Sequence, residues 1–390
     1  MNGQLNVHSE LHPCRRRGAP VCRDTANQLS AIRRIVAEVA AAMPPPAVAD
    51  IDPPMACAPE SELHYGRLYE PAELADRLLW ASGLVGETKK GLIANLKIAQ
   101  SLGPMRRVAA PPSVSAVDAL ARDFPHCGDV TALLRRRIAL SHCCPTPTFR
   151  LPPLLLSGAP GCGKTALAKR IAKLLAVPSA EIDMSTLHTS FTVVGLDVGY
   201  ATGRPGRLWE VLQHECMSPL VVLDELDKAR SDGSDDVVGF LYSLLEPVTA
   251  RRFTDAAIGL AIDASKVNWI ATCNDMRAID PAILSRFNVI EVPQPTAGEM
   301  PAVIKSIHRD LLSTADWIGW FEQPLSTDVV AALAALSPRA VIRAIEDAYA
   351  SAAAAGRRVV VPADVSDSRS PHRSHPIGFI RNDKSSETRA

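Results

Sequence analysis

The apolar positions of this chain change their period along its length, and the period predicts the elements. Near the start, Leu29, Ile32, Val36 and Val39 recur at helical spacing until Pro44, Pro45 and Pro46 stop them, with Pro53 and Pro54 following. This reads as one amphipathic helix and a stiff linker. A second helix is expected from Pro71, with the proline in its first turn and Leu74, Leu78 and Leu79 on one face, and a third from near Ser115. After Gly128, a helix ending near His142 gives way to short apolar runs that do not alternate: Leu154 to Leu156, Leu220 to Leu223, Val267 to Ala271 and Val289 to Val292. Strands buried on both faces have that composition, so the expected fold class is α/β, a parallel sheet flanked by helices. Beyond Pro295 the spacing is helical to about Ala354, Val359 to Val361 read as a short strand, and the last residues, rich in Ser, Arg, His and Asp, read as a disordered tail.

Composition narrows the class. With 390 residues and 47% apolar content the chain can bury a core in two or three units. Its 42 basic and 42 acidic side chains cancel, which argues against a dedicated nucleic-acid coat. Arg15 to Arg17 and Arg135 to Arg137 read as a tail and a solvated helix face. The nine cysteines contain no CxxC pair, so neither a disulfide framework nor a zinc ribbon is expected. The groups His142, Cys143, Cys144 and His8, His12, Cys14, Cys22 lack the spacing of metal sites. No secretory signal and no run of 18 apolar residues is found, so a soluble, cytoplasmic location is expected.

The chemistry lies where strands meet turns. Gly158-Ala159-Pro160-Gly161-Cys162-Gly163-Lys164-Thr165 fits GxxxxGK[ST] between the run ending at Leu156 and a helix carrying Leu167, Ile171 and Leu174. Glycines let successive N–H groups face phosphate oxygens at a helix N-terminus. Lys164 would reach the β- and γ-phosphates, and the Thr165 hydroxyl would ligate magnesium. Cys162 stands at a variable position and takes no role of its own. The strand Leu220 to Leu223 ends in Asp224 and Glu225, suited to holding magnesium through water and to accepting a proton from an attacking water. No guanine-reading NKxD element is found. The next strand runs into Asn274, which can orient the lytic water or serve only as a turn former. In Asp280-Pro-Ala-Ile-Leu-Ser-Arg286, the arginine stands just before the last strand, a permanent charge suited to a γ-phosphate in a neighbouring subunit.

Together these residues resemble an AAA+ ATPase over roughly residues 128 to 365, and within that superfamily the ATPase module of Lon-type proteases. The Lon likeness rests on Gly199-Tyr-Ala-Thr-Gly-Arg-Pro-Gly206, on Leu244 to Asp255 and on Ile283 to Ile290. The resemblance implies a P-loop AAA+ core with a parallel sheet flanked by helices, a C-terminal helical lid and an N-terminal helical region. It implies roles for Asn274 as sensor 1, Arg286 as the arginine finger acting in trans and Arg339 as the sensor 2 arginine, although Arg339 also fits an ordinary helix surface. It places Tyr200 at the aromatic of a substrate-gripping pore loop, where the other reading is a packed core tyrosine. Ala229 to Asp235 would be the second pore loop and Ala250 to Lys266 a hairpin inserted before sensor 1.

The domain expectation is 1–60 mostly disordered or linker with one helix, 61–127 an N-terminal helical region, 128–295 the core, 296–365 the lid and 366–390 a tail. The polar tail offers Lys384 and Ser385 no apolar framework, so a peptidase of the Lon kind is not expected in this chain. The leading expectation is a ring ATPase, hexameric by resemblance, with ATP and Mg²⁺ as ligands and a protein client, without membrane or nucleic acid. The alternatives are a nucleotide-switched scaffold or adaptor with slow turnover, or the ATPase partner of a separate protease. A DNA-acting motor would need a basic face that neutrality does not suggest.

Overall fold

The computed structural model describes residues 51–52, 64–84, 87–144, 147–200, 202–229, 236–322 and 324–368. The helix expected from Leu29 to Val39, the proline linker apart from Ile51 and Asp52, nearly all of the second pore-loop segment and the chain beyond Ser368 lie outside the described residues.

In chain order the first elements are β1 (Ile51–Asp52), β2 (His64–Arg67), α1 (Pro71–Ser82), α2 (Glu87–Leu102), β3 (Met105–Val108), α3 (Val114–Asp123) and α4 (Gly128–Ser141). Then come β4 (Leu154–Ser157), α5 (Lys164–Leu175), β5 (Ser179–Asp183), α6 (Phe191–Val194), α7 (Arg207–Leu212), β6 (Leu220–Asp224), α8 (Phe240–Leu244) and α9 (Pro247–Ala250). A small hairpin of β7 (Phe253–Thr254) and β8 (Ala261–Ile262) precedes β9 (Asn268–Cys273), α10 (Pro281–Leu284) and β10 (Asn288–Glu291). The last helices are α11 (Met300–Thr314), α12 (Thr327–Leu333), α13 (Pro338–Ala354) and α14 (Pro362–Ser368).

Five strands run parallel in the order β5-β6-β9-β4-β10, with β1 pairing antiparallel at the β5 edge. Successive residues of the central strands face opposite cores: Leu155, Val221, Leu223, Trp269 and Ala271 join one cluster, and Leu154, Leu156, Leu220, Val222 and Ile270 the other. That double burial is why these strands read as continuous apolar runs rather than alternating ones. Two differences from the sequence reading follow from strand position. Among the described residues β10 has only β4 as a neighbour and is mostly exposed, so Val289 is a surface residue. β5 alternates Ser179, Glu181 and Asp183 with its buried Ala180 and Ile182, so it contains no apolar run.

The segment expected to be a separate helical region shares the central core. Leu74, Leu92, Leu96 and Ala99 from α1 and α2 join the first cluster, while Val117 and Leu120 from α3 join the second. It is not wholly helical, since β2 and β3 form an antiparallel pair. α1 starts at Pro71 as expected, but Leu79 is 67% exposed, because at 100° per residue it stands about 140° around the helix from Leu74. α3 begins at Val114 with Ser113 as its cap, Oγ accepting from the Ala116 N–H at 3.2 Å.

Asn268 pins the sheet internally. Fully buried at the start of β9, its Oδ1 accepts from the Leu151 N–H at 2.8 Å and its Nδ2 donates to Ser218 O at 3.0 Å, joining the lead-ins to β4 and β6. After β10 a third core gathers Ile304 of α11, Val329 and Leu333 of α12, and Val341, Ile345 and Tyr349 of α13. Val359 to Val361 form no strand. That stretch instead closes the third core through buried Val360, and Arg357 holds Asp364 at 2.6 Å. Among the described residues no helix is long and apolar enough to cross a membrane.

Candidate functional site

The site is built at the C-terminal ends of β4, β6 and β9. β4 leads into the glycine loop, where Gly161 (φ 81°) and Gly163 (φ 99°) adopt left-handed backbone that a side chain would strain. The turn ends in α5, whose first two residues are Lys164 and Thr165. Lys164 is buried, and its three ammonium donors are all used: Nζ lies 2.7 Å from Gly158 O, 3.1 Å from Ala159 O and 3.0 Å from Asn274 Oδ1. A charge held in this way is fixed in direction as well as place.

Asp224, at the end of β6, accepts from Thr165 Oγ1 at 2.9 Å and from Thr272 Oγ1 at 2.5 Å on the same oxygen, Oδ1. The Thr272 hydroxyl in turn accepts from the Glu225 N–H at 3.0 Å. Thr272 therefore joins both acidic residues to β9, a role the sequence reading missed. The available signal was a hydroxyl in a strand that is otherwise apolar after Asn268. Glu225 has left-handed backbone (φ 55°), and its carboxylate pairs with Lys228 at 2.7 Å. Asp227 holds the end of β9, its Oδ2 accepting from the N–H groups of Asn274 and Asp275, each at 3.1 Å. Through that pair and the contact with Lys164, Asn274 is fixed by both its backbone and its amide.

A cleft of 310 Å³ opens over the glycine loop. Its walls come from the loop, from Asp224, Glu225 and Asn274, from Phe124 and His126 ahead of α4, and from α11 and α13, the latter supplying Arg339. Arg339 is an exposed residue whose Cβ lies close over Gly161. His126 and Phe124 were not singled out from the sequence, because neither belongs to a short motif. The His126 Nε2 lies 3.1 Å from Cys162 O, and burial lowers the pKa of its ring below the usual histidine range. Burial likewise pushes the Cys127 thiol up to about 12. Cys162 is buried beneath the loop, facing the core.

The outer walls are tied together by charge. Asp123, at the end of α3, receives Arg309 of α11 at 2.8 and 3.2 Å and Arg170 of α5 at 3.3 Å, and Arg170 also reaches Asp310 at 2.9 Å.

Two residues of the sequence-derived set stand elsewhere. Arg286 does not line the cleft. It lies 3.4 Å from Glu246, donates to Ala282 O at 2.5 Å and sits 5.3 Å from the Tyr242 ring. Tyr200 is 64% exposed, outside every core, so it is not a packed core tyrosine.

Residues 154–294 match the family model described as "ATPase family associated with various cellular activities (AAA)". A peroxisomal Lon protease homolog 2 of Oryza sativa subsp. indica is 37% identical over 154 residues, 39% of this chain and 17% of that protein. A Lon protease of Dictyoglomus thermophilum is 35% identical over 155 residues, 40% of this chain and 20% of that protein. The match thus spans a fifth or less of these relatives' length. Among solved structures, the extended S. cerevisiae Hsp104:casein complex aligns with a TM-score of 0.51 at 17% identity, covering 67% of this chain and 49% of that one. Closed-state Hsp104 with ATPγS and FITC casein aligns with a TM-score of 0.51 at 18% identity, covering 73% and 56%. These two likenesses are of fold.

Proposed function

We propose that this chain, whose residues 154–294 are an AAA ATPase domain with Lon-like sequence, hydrolyses ATP in a ring of its own copies and uses the energy to remodel or thread protein clients. The observation that carries the reading is the convergence, at one end of the cleft, of the Lys164 ammonium, the Asn274 amide and the Thr165–Asp224 pair beneath the left-handed glycine loop.

The loop N–H groups and Lys164 bind the β- and γ-phosphates. Exchanging its carbonyl contacts for phosphate oxygens leaves the ammonium satisfied. The Thr165 hydroxyl and the Asp224 carboxylate are hard oxygen donors 2.9 Å apart, a set that fits Mg²⁺, which when bound neutralises phosphate charge. Asn274 orients a water toward the γ-phosphorus. Glu225 takes the proton of that water as its oxygen bonds to phosphorus and the bond to the ADP oxygen breaks. Lys228 holds one oxygen of the base, Oε2, and the other is left to take the proton. Arg339 closes over the phosphates from α13.

Arg286, held away from its own cleft by Glu246 and Ala282, serves the cleft of an adjacent copy, and this is the reason for assembly. Tyr200 contacts the client, since an exposed ring grips apolar side chains without regard to sequence. Phosphate release by wild type and by Glu225→Gln, with binding of a fluorescent ATP analogue measured in parallel, tests the core of this reading. Equal turnover in the two proteins refutes it. The client claim is tested separately by ATP-dependent unfolding of a tagged model protein, and its absence at saturating ATP refutes the threading.

A further inference from the structure

The loop that bears Tyr200 stands on a buried carboxylate. Asp255, just after β7, is fully buried. Its Oδ2 accepts from the Gly206 N–H at 2.8 Å, and its Oδ1 accepts from the N–H groups of Ala257 at 2.9 Å and Ile258 at 3.1 Å. Gly206 is the last residue before α7 and Gly195 the first after α6, so these two glycines are the feet of the loop. Both feet meet at the carboxylate. A Cβ on Gly195 (φ 84°) would stand 2.4 Å from Asp255 Oδ1, and one on Gly206 would stand 2.2 Å from Val193 O, so neither position has room for a side chain. The Ala256 N–H donates to Val194 O at 2.9 Å and adds a backbone tie at the first foot.

Above the feet, Leu196 and Arg204 exchange backbone hydrogen bonds at 2.9 and 3.1 Å, so the loop rises as a paired ribbon. Near its tip, the Tyr200 N–H donates to Asp197 O at 3.1 Å and Tyr200 O accepts from the Gly203 N–H at 2.9 Å. Behind the carboxylate, Arg77 of α1 donates through Nε to Ile258 O at 2.6 Å, bracing the turn from the other side. Apolar contacts alone would let such a ribbon rock. A buried acceptor with three N–H partners on two segments is directional, and breaking any one contact strands a polar group.

We propose that Asp255 is a positioning residue that clamps both feet of the Tyr200 loop to the β7–β8 hairpin, so that the exposed ring is presented from a fixed base. The clamp rests on the reading of Tyr200 as the client contact and adds the part that holds it in place. Asp255 touches neither the cleft nor the client, so its loss separates client handling from ATP chemistry.

The test uses the full chain with a nitroxide amino acid incorporated in place of Tyr200, so that exposed thiols such as Cys143 and Cys144 stay unlabelled, with and without Asp255→Asn, a near-isosteric change that turns an NH₂ group toward backbone donors. The spectrum of the label is expected to sharpen toward the mobile limit in the Asp255→Asn background. With Tyr200 intact, Asp255→Asn is expected to raise the KM of stimulation by fluorescein-labelled casein about tenfold while basal turnover and the KM for ATP stay within about twofold. Equal losses of basal and stimulated turnover, or an unchanged label spectrum, would overturn the clamp. Should the variant fold poorly, hydrogen exchange on the wild-type chain decides: the Gly206 amide is expected to be protected at least about tenfold over that of Gly199, and equal rates refute the clamp. If Tyr200→Ala leaves casein stimulation intact, the client reading fails while the label and exchange results still judge the clamp.

Discussion

Thr272 does the most with the fewest atoms. Its hydroxyl donates to Asp224 and accepts from the Glu225 backbone, so one oxygen aligns the carboxylate proposed to hold magnesium and the turn that carries the proposed base. Thr272→Val keeps the shape and removes both bonds. The expected result is a loss of about 1–3 kcal/mol in urea unfolding, with turnover falling more than ATP-analogue affinity. The base itself is a sharper case. Glu225→Gln cannot accept the proton, so turnover should fall by about 10² to 10⁴ while nucleotide binding persists, read from phosphate release against analogue titration. Neither role follows from residue type alone, because a threonine at a strand end is common. The acidic pair was legible from the sequence since apolar strands have no need to end in two carboxylates, whereas Thr272 became visible only once β6 and β9 were neighbours.

At the scale of elements, buried polar groups fix register where apolar packing cannot. Asn268 is satisfied on both sides by backbone, and Asn268→Ala would leave the Leu151 N–H and Ser218 O unpaired in the sheet. Destabilisation of about 2–4 kcal/mol is expected from the two stranded groups, measured as a lower denaturation midpoint. Asp255 gives the hairpin a pH signature. Burial raises its carboxyl from 3.8 to about 6 against the pull of its three N–H partners. A folded pKa above the unfolded one favours the protonated fold, so this contribution to stability is fully present below 3.8 and is lost as pH rises through about 6. The stability of wild type relative to Asp255→Asn should therefore decline between those limits, followed by urea titration at stepped pH; a flat difference contradicts the shift. The helix start at Pro71, and one near Ser115 that the structure puts at Val114, were legible because first-turn preferences are local. Leu79 was misread because it stands off the buried face of α1, β5 was missed because polar residues interrupt its apolar ones, and β10 was misread because it lies at the sheet edge.

At the scale of the whole molecule, Arg286 has no place in its own cleft, and the proposed chemistry is complete only between copies. Arg286→Ala alone should lower turnover by about 10³ or more, as loss of a finger does. Mixing inactive Arg286→Ala with inactive Glu225→Gln should restore part of the activity, because a hybrid interface joins an intact base to an intact arginine. No recovery on mixing, or turnover per subunit independent of protein concentration, would place the finger in cis. The charge cluster of Asp123, Arg170, Arg309 and Asp310 joins α11 to the P-loop helix at the rim of the same cleft, so nucleotide contacts and the helices after β10 share one set of ties.

The sequence by itself determined the class of chemistry. A glycine loop ending in lysine and threonine, strands ending in Asp224, Glu225 and Asn274, and an arginine before the last strand are local patterns, and the backbone geometry they require is local too. The tertiary structure alone decided that residues 64–127 complete the central core, that Thr272 links the acidic pair, and that Asp255 lies beneath the Tyr200 loop. Each of these joins segments far apart in the chain, and a buried polar contact between distant segments leaves no period or motif in the sequence.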